Sequence, residues 1–296
     1  QAYATAIQNG YMTRNEVREL EDLNPIDGAD NLLVPLNMVE VTRSVRSFPV
    51  APENRAHAIG SERQDIIRRN LPTFQDALER LVRREVADIR RAIRKFLVNG
   101  DADAFVAWLA EFYSEILDAA PSYLRPSLQS MVAQIHASVA AELDVKRDVF
   151  GDADEFIEEY LRTWATSYAV GSERTIRTVV RESPADEIAE NVTRRIDDWG
   201  ETKAQRESHA QVFEAGNALV VHAYTAAGVG ALRWVSVGET CPFCQRLDGK
   251  TIPIRGKFFA AGDAVEGGES DTPIVLRNDV RHGPLHDGCD CTVVAA

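Results

Sequence analysis

Apolar residues recur at helical spacing through most of the middle of the chain. Between Thr73 and Val98, the residues Phe74, Leu78, Leu81, Ile89, Ile93 and Phe96 fall three, four or eight apart and predict one long helix with a single apolar stripe. Asn99-Gly100 marks its end, because glycine accepts the left-handed conformation that closes helices. Asp101 to Ala119 predicts a second helix with Phe105, Leu109, Phe112 and Ile116 inward. Pro121 and Pro126 bracket an expected turn, and Ser127 to Leu143 a third helix. Asp152 to Val180 predicts a fourth, carrying Phe156, Tyr160, Trp164 and Tyr168, with a weak point at Gly171. Pro184 to Trp199 and Lys203 to Ala227 predict two more. The fold class is therefore mainly α: a helical bundle over residues 62–198, whose regularly spaced aromatics read as core rather than as a cofactor box.

The pattern differs at both ends. Thr13 and Glu16 have the spacing of a capping box, in which the hydroxyl and the carboxylate satisfy free amides at a helix start. Val17, Leu20 and Leu23 then share one face of a short helix, and Pro25 stops it. Residues 1–42 form a separate segment, and residues 43–61, with Ser44, Ser47, Pro49, Pro52, Asn54 and Gly60 and no sustained period, read as a linker. After Gly228, LRWVSV alternates like a strand and KTIPI gives a second short one. Asp248-Gly249 is a turn between them. The last unit, residues 199–296, ends in a small, loop-rich α+β or β structure.

Composition narrows the function classes. The chain has 296 residues, 45% of them hydrophobic, and a formal net charge of −13. That is enough apolar material for a buried core, and it excludes wholesale disorder. The acidic balance opposes wrapping on DNA, which needs clustered cations. The charge is uneven. Gly60 to Leu97 carries ten Lys/Arg against six Asp/Glu, whereas Asp101 to Leu161 carries three against thirteen. Such asymmetry marks faces that meet different partners, or simply solvated helix faces; Arg83, Arg84, Arg90, Arg91 and Arg94 crowd the first long helix and become candidate DNA contacts only under the resemblance given below. No run of about 18 apolar residues occurs, so no membrane-spanning helix is expected. The start, QAYATAIQNG, has no basic n-region and no apolar h-region and does not begin with Met, which reads as a fragment or a processed product.

All four cysteines sit in the last unit, as Cys241-Pro-Phe-Cys244 and Cys289-Asp-Cys291, with His286 three residues before the second pair. A CxxC turn lets two thiolates converge on one ion. Cys241, Cys244, His286, Cys289 and Cys291 are thus five candidate ligands for a four-coordinate structural zinc, with Cys241 and Cys244 joined by two of the other three. Cys289 and Cys291 would project to one face of an extended segment, and His286 with either of them is equally feasible. Disulfides and unbound thiols are the alternatives. His282 is a further candidate ligand. A catalytic zinc of the deaminase type is disfavoured, because there the H-x-E precedes the P-C-x-x-C and here the order is reversed. No P-loop, GxSxG or H-E-x-x-H is present, and Arg206, Glu207 and His209 read as ordinary helix polarity.

Two stretches carry a family resemblance. RWVSVGETCPFCQRLDGKTIPI followed by GPLHDGCDCTVV resembles the C-terminal signature of the phage Mu F-like minor head proteins: a Trp-bearing strand, a CPxC knuckle, an LDG turn and a PLHxxCxC ending. The likeness extends over roughly Trp199 to Val294, and departs where the family has Arg-Thr-Glu and this chain has Arg206-Glu207-Ser208. NGYMTRNEVRELEDLNPIDGADNLLVPLNM, Asn9 to Met38, resembles the C-terminal end of siphophage-type portal proteins. Together these imply a portal–minor head fusion fragment. The role implied is structural and non-enzymatic: head morphogenesis in the virion near the portal vertex, after assembly in the host cytoplasm. The partners implied are the portal ring, capsid proteins and packaged DNA, with no membrane and no small-molecule substrate. Domains of this family also occur fused to toxin modules, so an enzymatic effector is the competing expectation.

Overall fold

The computed structural model describes Asn15, Val17, Arg18, Phe48 and residues 50–238, 242–267, 272–286 and 288–296. The chain divides into two units, Gln1–Val45 and Arg46–Ala296. In the first unit Asn15, Val17 and Arg18 are helical, within the short helix expected there; the rest of the portal-like segment lies outside the described residues.

Five long helices make most of the second unit: α1 Glu53–Arg69, α2 Leu71–Lys95, α3 Ala102–Leu143, α4 Asp154–Glu182 and α5 Ile188–Ala227. The mainly helical fold with a small C-terminal sheet is as expected. α2 carries the predicted stripe, with Phe74, Leu78, Leu81, Ile89 and Ile93 all buried. A short 3-10 turn, Leu97–Asn99, then ends at Gly100 with φ 77°. α2 packs along α5, and α3 along α4.

Three sequence expectations need correction. The linker over 43–61 is not a linker beyond Pro52, because α1 begins at Glu53. Its buried face is Ala56, Gly60, Arg63, Gln64, Ile66 and Ile67, and four of those six are small or polar, so hydrophobic periodicity could not reveal it. Gly60 is required by packing: a Cβ there would lie 2.8 Å from Val235 Cγ1. The turn at Pro121 and Pro126 does not form; both prolines lie inside the 42-residue α3. Each removes one backbone hydrogen bond. The buried series Phe112, Ile116, Ala120, Leu124, Leu128, Met131 and Ile135 nevertheless continues at helical spacing across them, so burial holds the helix together. The boundary at 198/199 falls inside α5, which runs unbroken through Gly200. Trp199 and Lys203 are buried on either side of that exposed glycine, so the bundle and the C-terminal unit share one helix.

After α5, Gly228 with φ 83° turns the chain into β1 Ala231–Val235. β2 Thr251–Pro253 and β5 Thr292–Ala295 flank β1 antiparallel, in the order β2-β1-β5. Trp234 faces Val293 across that sheet. β3 Ala264–Val265 and β4 Ile274–Val275 form a separate two-stranded ladder. β5 lies against α1 and α5, which fixes the chain end on the bundle.

Two buried polar networks set helix register. Glu85 of α2 accepts hydrogen bonds from Tyr113 of α3 (2.7 Å), Tyr168 of α4 (2.7 Å) and Lys203 of α5 (2.8 and 2.9 Å). Lys203 Nζ also donates to Ser172 Oγ at 2.7 Å and lies 3.8 Å from the Trp199 ring centroid. Burial lowers the Lys203 pKa and Glu85 opposes that shift; burial and Glu85 together push both tyrosines well up. In the second network, Arg63 of α1 donates to Glu142 of α3 (2.5 Å), Tyr224 of α5 (2.9 Å) and the Val293 carbonyl of β5 (2.8 Å). Glu142 Oε1 also accepts the Ala295 amide at 3.0 Å.

Removing one partner of a buried ion pair leaves the other charge unpaired, at a cost of about 3–5 kcal/mol. Lys203→Met should therefore destabilise the chain by about that amount in urea denaturation, and Glu85→Gln/Lys203→Met should cost clearly less than the sum of the two single changes. Additive losses would mean that the two charges do not act as a pair.

Candidate metal centre

β1 delivers the chain into the turn that carries Cys244. The one-turn helix α6, Pro242–Gln245, exposes its end to capping: the Cys244 carbonyl accepts the Leu247 amide at 3.0 Å and the Ser236 hydroxyl at 2.8 Å. Asp248 closes the turn by accepting the Ser236 amide at 2.7 Å. The sequence-predicted turn at Asp248-Gly249 is thus present, and Gly249 has φ 77°.

The second arm comes back from the two-stranded ladder through residues 281–291. Gly288 has φ 77°, and the Cys289 amide donates to the His286 carbonyl at 3.1 Å. Gly283 permits a close crossing: a Cβ there would lie 2.2 Å from the Cys291 carbonyl oxygen. That carbonyl is held from two helices. Asn217 of α5 donates to it at 3.1 Å and Gln64 of α1 at 3.2 Å. The Thr292 hydroxyl completes the clamp by donating to Asn217 Oδ1 at 2.6 Å.

These two arms bring Cys244, His286 and Cys289 together. Their ligand atoms lie within 4.8 Å of one another, with Cys244 Sγ 3.5 Å from His286 Nε2 and 3.6 Å from Cys289 Sγ. The Cys244 and Cys289 sulfurs, 3.6 Å apart, are too far apart for a disulfide, whose S–S bond is about 2.0 Å, and Cys244, Cys289 and Cys291 are all buried. Cys291, two residues beyond Cys289, is also buried but is not part of that group. Cys241 lies outside the described residues. The group Cys244-His286-Cys289 is one that can hold a metal ion.

Charge within the cluster is shared unevenly. The Cys244 and Cys291 thiols donate toward Cys289, and the Leu285 and Cys291 amides also stabilise its sulfur, so its pKa is pulled down to about 2. The Cys244 pKa is driven up chiefly by its bonds to Cys289 and Cys291. Cys291 is pushed up to about 12: its bond to Cys244 lowers it, but the contact with Cys289 and burial outweigh that. Metal binding by cysteines requires thiolates, so an ion here would release protons from the cluster.

The other sequence candidates fall elsewhere. His282 is not in the metal group; its Nδ1 is 2.6 Å from the Gly283 carbonyl. On α2, Arg83 and Arg94 are exposed, but Arg84 and Arg91 both pair with Asp88, and Arg90 pairs with Asp197 of α5. The five arginines thus do not form one set of uncommitted cations. Gln64 and Asn217, which hold the second arm, had no local signal in the sequence, since their role depends on chain reversal over more than 70 residues.

The chain matches no protein-family model, no curated protein and no solved structure.

Asn217→Ala removes one of the two donors to the Cys291 carbonyl and leaves Thr292 without its acceptor. Loss of such a buried partner costs about 1–3 kcal/mol, and outer-shell changes weaken metal binding about 10–100-fold. Chelator competition on the metal-loaded chain should show that weakening; an affinity equal to wild type would mean that the clamp does not position Cys291.

Proposed function

We propose that this chain is a structural module of a phage head, associated with the portal, whose C-terminal tail is closed onto a helical bundle by a zinc ion. The observation that carries the reading is the buried convergence of Cys244, His286 and Cys289 beside Cys291. Zinc holds sulfur at about 2.3 Å and nitrogen at about 2.0–2.1 Å in tetrahedral sites, which places two sulfurs about 3.8 Å apart and a sulfur and a nitrogen about 3.5 Å apart. The separations of 3.6 and 3.5 Å fit that arrangement. A sulfur-rich donor set favours zinc over the hard oxygen-seeking cations.

A structural rather than a catalytic ion is supported by the burial of the donors: Cys244 and Cys289 are both buried, and Cys291, two residues on, is a further buried thiol. The tail's strands are short, two to five residues each, and an ion joining its two arms adds a cross-link that so little regular structure does not supply. The phage reading rests on the resemblance of the Cys/His signature to the Mu F-like minor head proteins and of Asn9 to Met38 to portal ends. In that setting a minor head module joined to a portal is delivered in portal stoichiometry, because the tether replaces a docking equilibrium by a high effective concentration. The portal ring, capsid proteins and packaged DNA are the partners, and the exposed Arg83 and Arg94 are the α2 cations with most freedom to meet DNA.

The test is made in a phage that encodes the chain. Purified heads should contain it at portal stoichiometry, and Cys289→Ser should lower the yield of filled heads while leaving the α-helical bundle folded. Heads that lack the chain, or full head yield from the variant, would overturn the proposal.

A further inference from the structure

A second group of metal-ligating side chains lies apart from the cysteines. Glu53 and His57, one turn apart at the start of α1, meet Asp248 from the turn between β1 and β2. One ligand atom from each lies within 4.8 Å of the other two. Both oxygens of Asp248 face His57 Nε2, at 3.0 and 3.2 Å.

Hydrogen bonding fixes which imidazole nitrogen is available. His57 Nδ1 lies 2.9 Å from the Glu53 backbone carbonyl. A carbonyl only accepts, so Nδ1 carries a proton. In the neutral ring, Nε2 then presents a lone pair to a carboxylate, which is repulsive. Something positive must sit between them: either a second proton on the ring or a cation. An imidazole whose far nitrogen donates to a carbonyl is also how metal-bound histidines are held.

Charge separates the two alternatives. With a protonated ring, two carboxylates and one cation leave the group at −1. With a neutral ring, the group is at −2, which a divalent ion balances. Arg233 lines the adjoining recess of about 540 Å³, but it donates to the Ala51 carbonyl at 2.9 Å and makes no ion pair with Glu53 or Asp248 among the described residues. The recess opens beside Glu53, His57 and Gly249, which leaves room for the waters that would complete the coordination of an ion with three protein ligands.

We infer that Glu53, His57 and Asp248 form a second divalent-cation site, of nitrogen and oxygen donors, that straps the start of α1 to the turn following Cys244. The donor set suits zinc or another first-row divalent ion. The site is independent of the cysteine cluster in its ligands. It is coupled to that cluster in position, because the Asp248 amide donates to the Cys244 carbonyl at 3.2 Å.

Zinc titration of the full chain followed by native mass spectrometry tests this. Wild type should bind two zinc ions, and His57→Gln should bind one. Glu53 is exposed and its loss leaves the fold intact, so Glu53→Gln should keep both sites but weaken the second at least about tenfold. Unchanged affinity in Glu53→Gln would overturn the three-donor site. A wild-type chain that saturates at one zinc, retained in His57→Gln and lost in Cys289→Ser, would overturn the second site and leave the cysteine centre standing; nitrogen NMR would then show His57 doubly protonated above its ordinary pKa. One zinc that is lost in His57→Gln but kept in Cys289→Ser would uphold this site and remove the cysteine centre.

Discussion

Two buried thiols and an imidazole, those of Cys244, Cys289 and His286, converge where the two arms of the C-terminal unit meet. Buried polar groups must find partners. Here the partners are one another: the Cys244 sulfur lies 3.5 Å from His286 Nε2 and 3.6 Å from the Cys289 sulfur. That arrangement is narrow, because each arm reaches it only through a turn that glycine or a capping side chain allows. Ser236 and Asp248 shape the first arm, Gly283 and Gly288 the second. An ion at this point would replace weak thiol contacts with coordination bonds and join residues that stand more than 40 apart in the chain.

The bundle beneath is built to receive the tail. Arg63 and Glu142 form an inner pair whose other hydrogen bonds go to Tyr224 of α5 and to β5, at the Val293 carbonyl and the Ala295 amide. Gln64, one residue on in α1, reaches the Cys291 carbonyl. The face of α1 that looked unlike a helix in sequence is therefore polar for a reason: it docks a strand's backbone as well as packing against a core. The Glu85–Lys203 group does the corresponding work deeper down, joining all four of α2 to α5 through one carboxylate. Each network has many partners per charge, which is the condition under which buried ions specify one arrangement.

Much of the helical layer was legible in the sequence because large apolar side chains repeat at helical spacing. Legibility failed where packing overrode local rules. Pro121 and Pro126 break the rule for helix interiors, yet the stripe of Ile116, Ala120, Leu124 and Leu128 passes them without a shift of face. Gly200 looks like a break and is simply exposed on a helix anchored at Trp199 and Lys203. One missed site did leave a mark: the α2 stripe skips from Leu81 to Ile89, and the residue in the gap is Glu85. For the metal centre, residue types and spacing named Cys244, His286 and Cys289. The hold of Gln64 and Asn217 on the Cys291 carbonyl and the meeting of His57 with Asp248 are products of tertiary folding, and no local pattern encodes them.

The central claim is that a metal ion at the cysteine cluster sets the order of the tail while the bundle stands on its own core. Hydrogen exchange of the full chain, metal-loaded and after chelation, tests it most directly. Removal of the metal should speed exchange in β1, β5 and residues 281–291, and leave the amides of α2, α3 and α4 as protected as before. Equal protection of the tail in both states, or loss of protection throughout the bundle, would contradict the account.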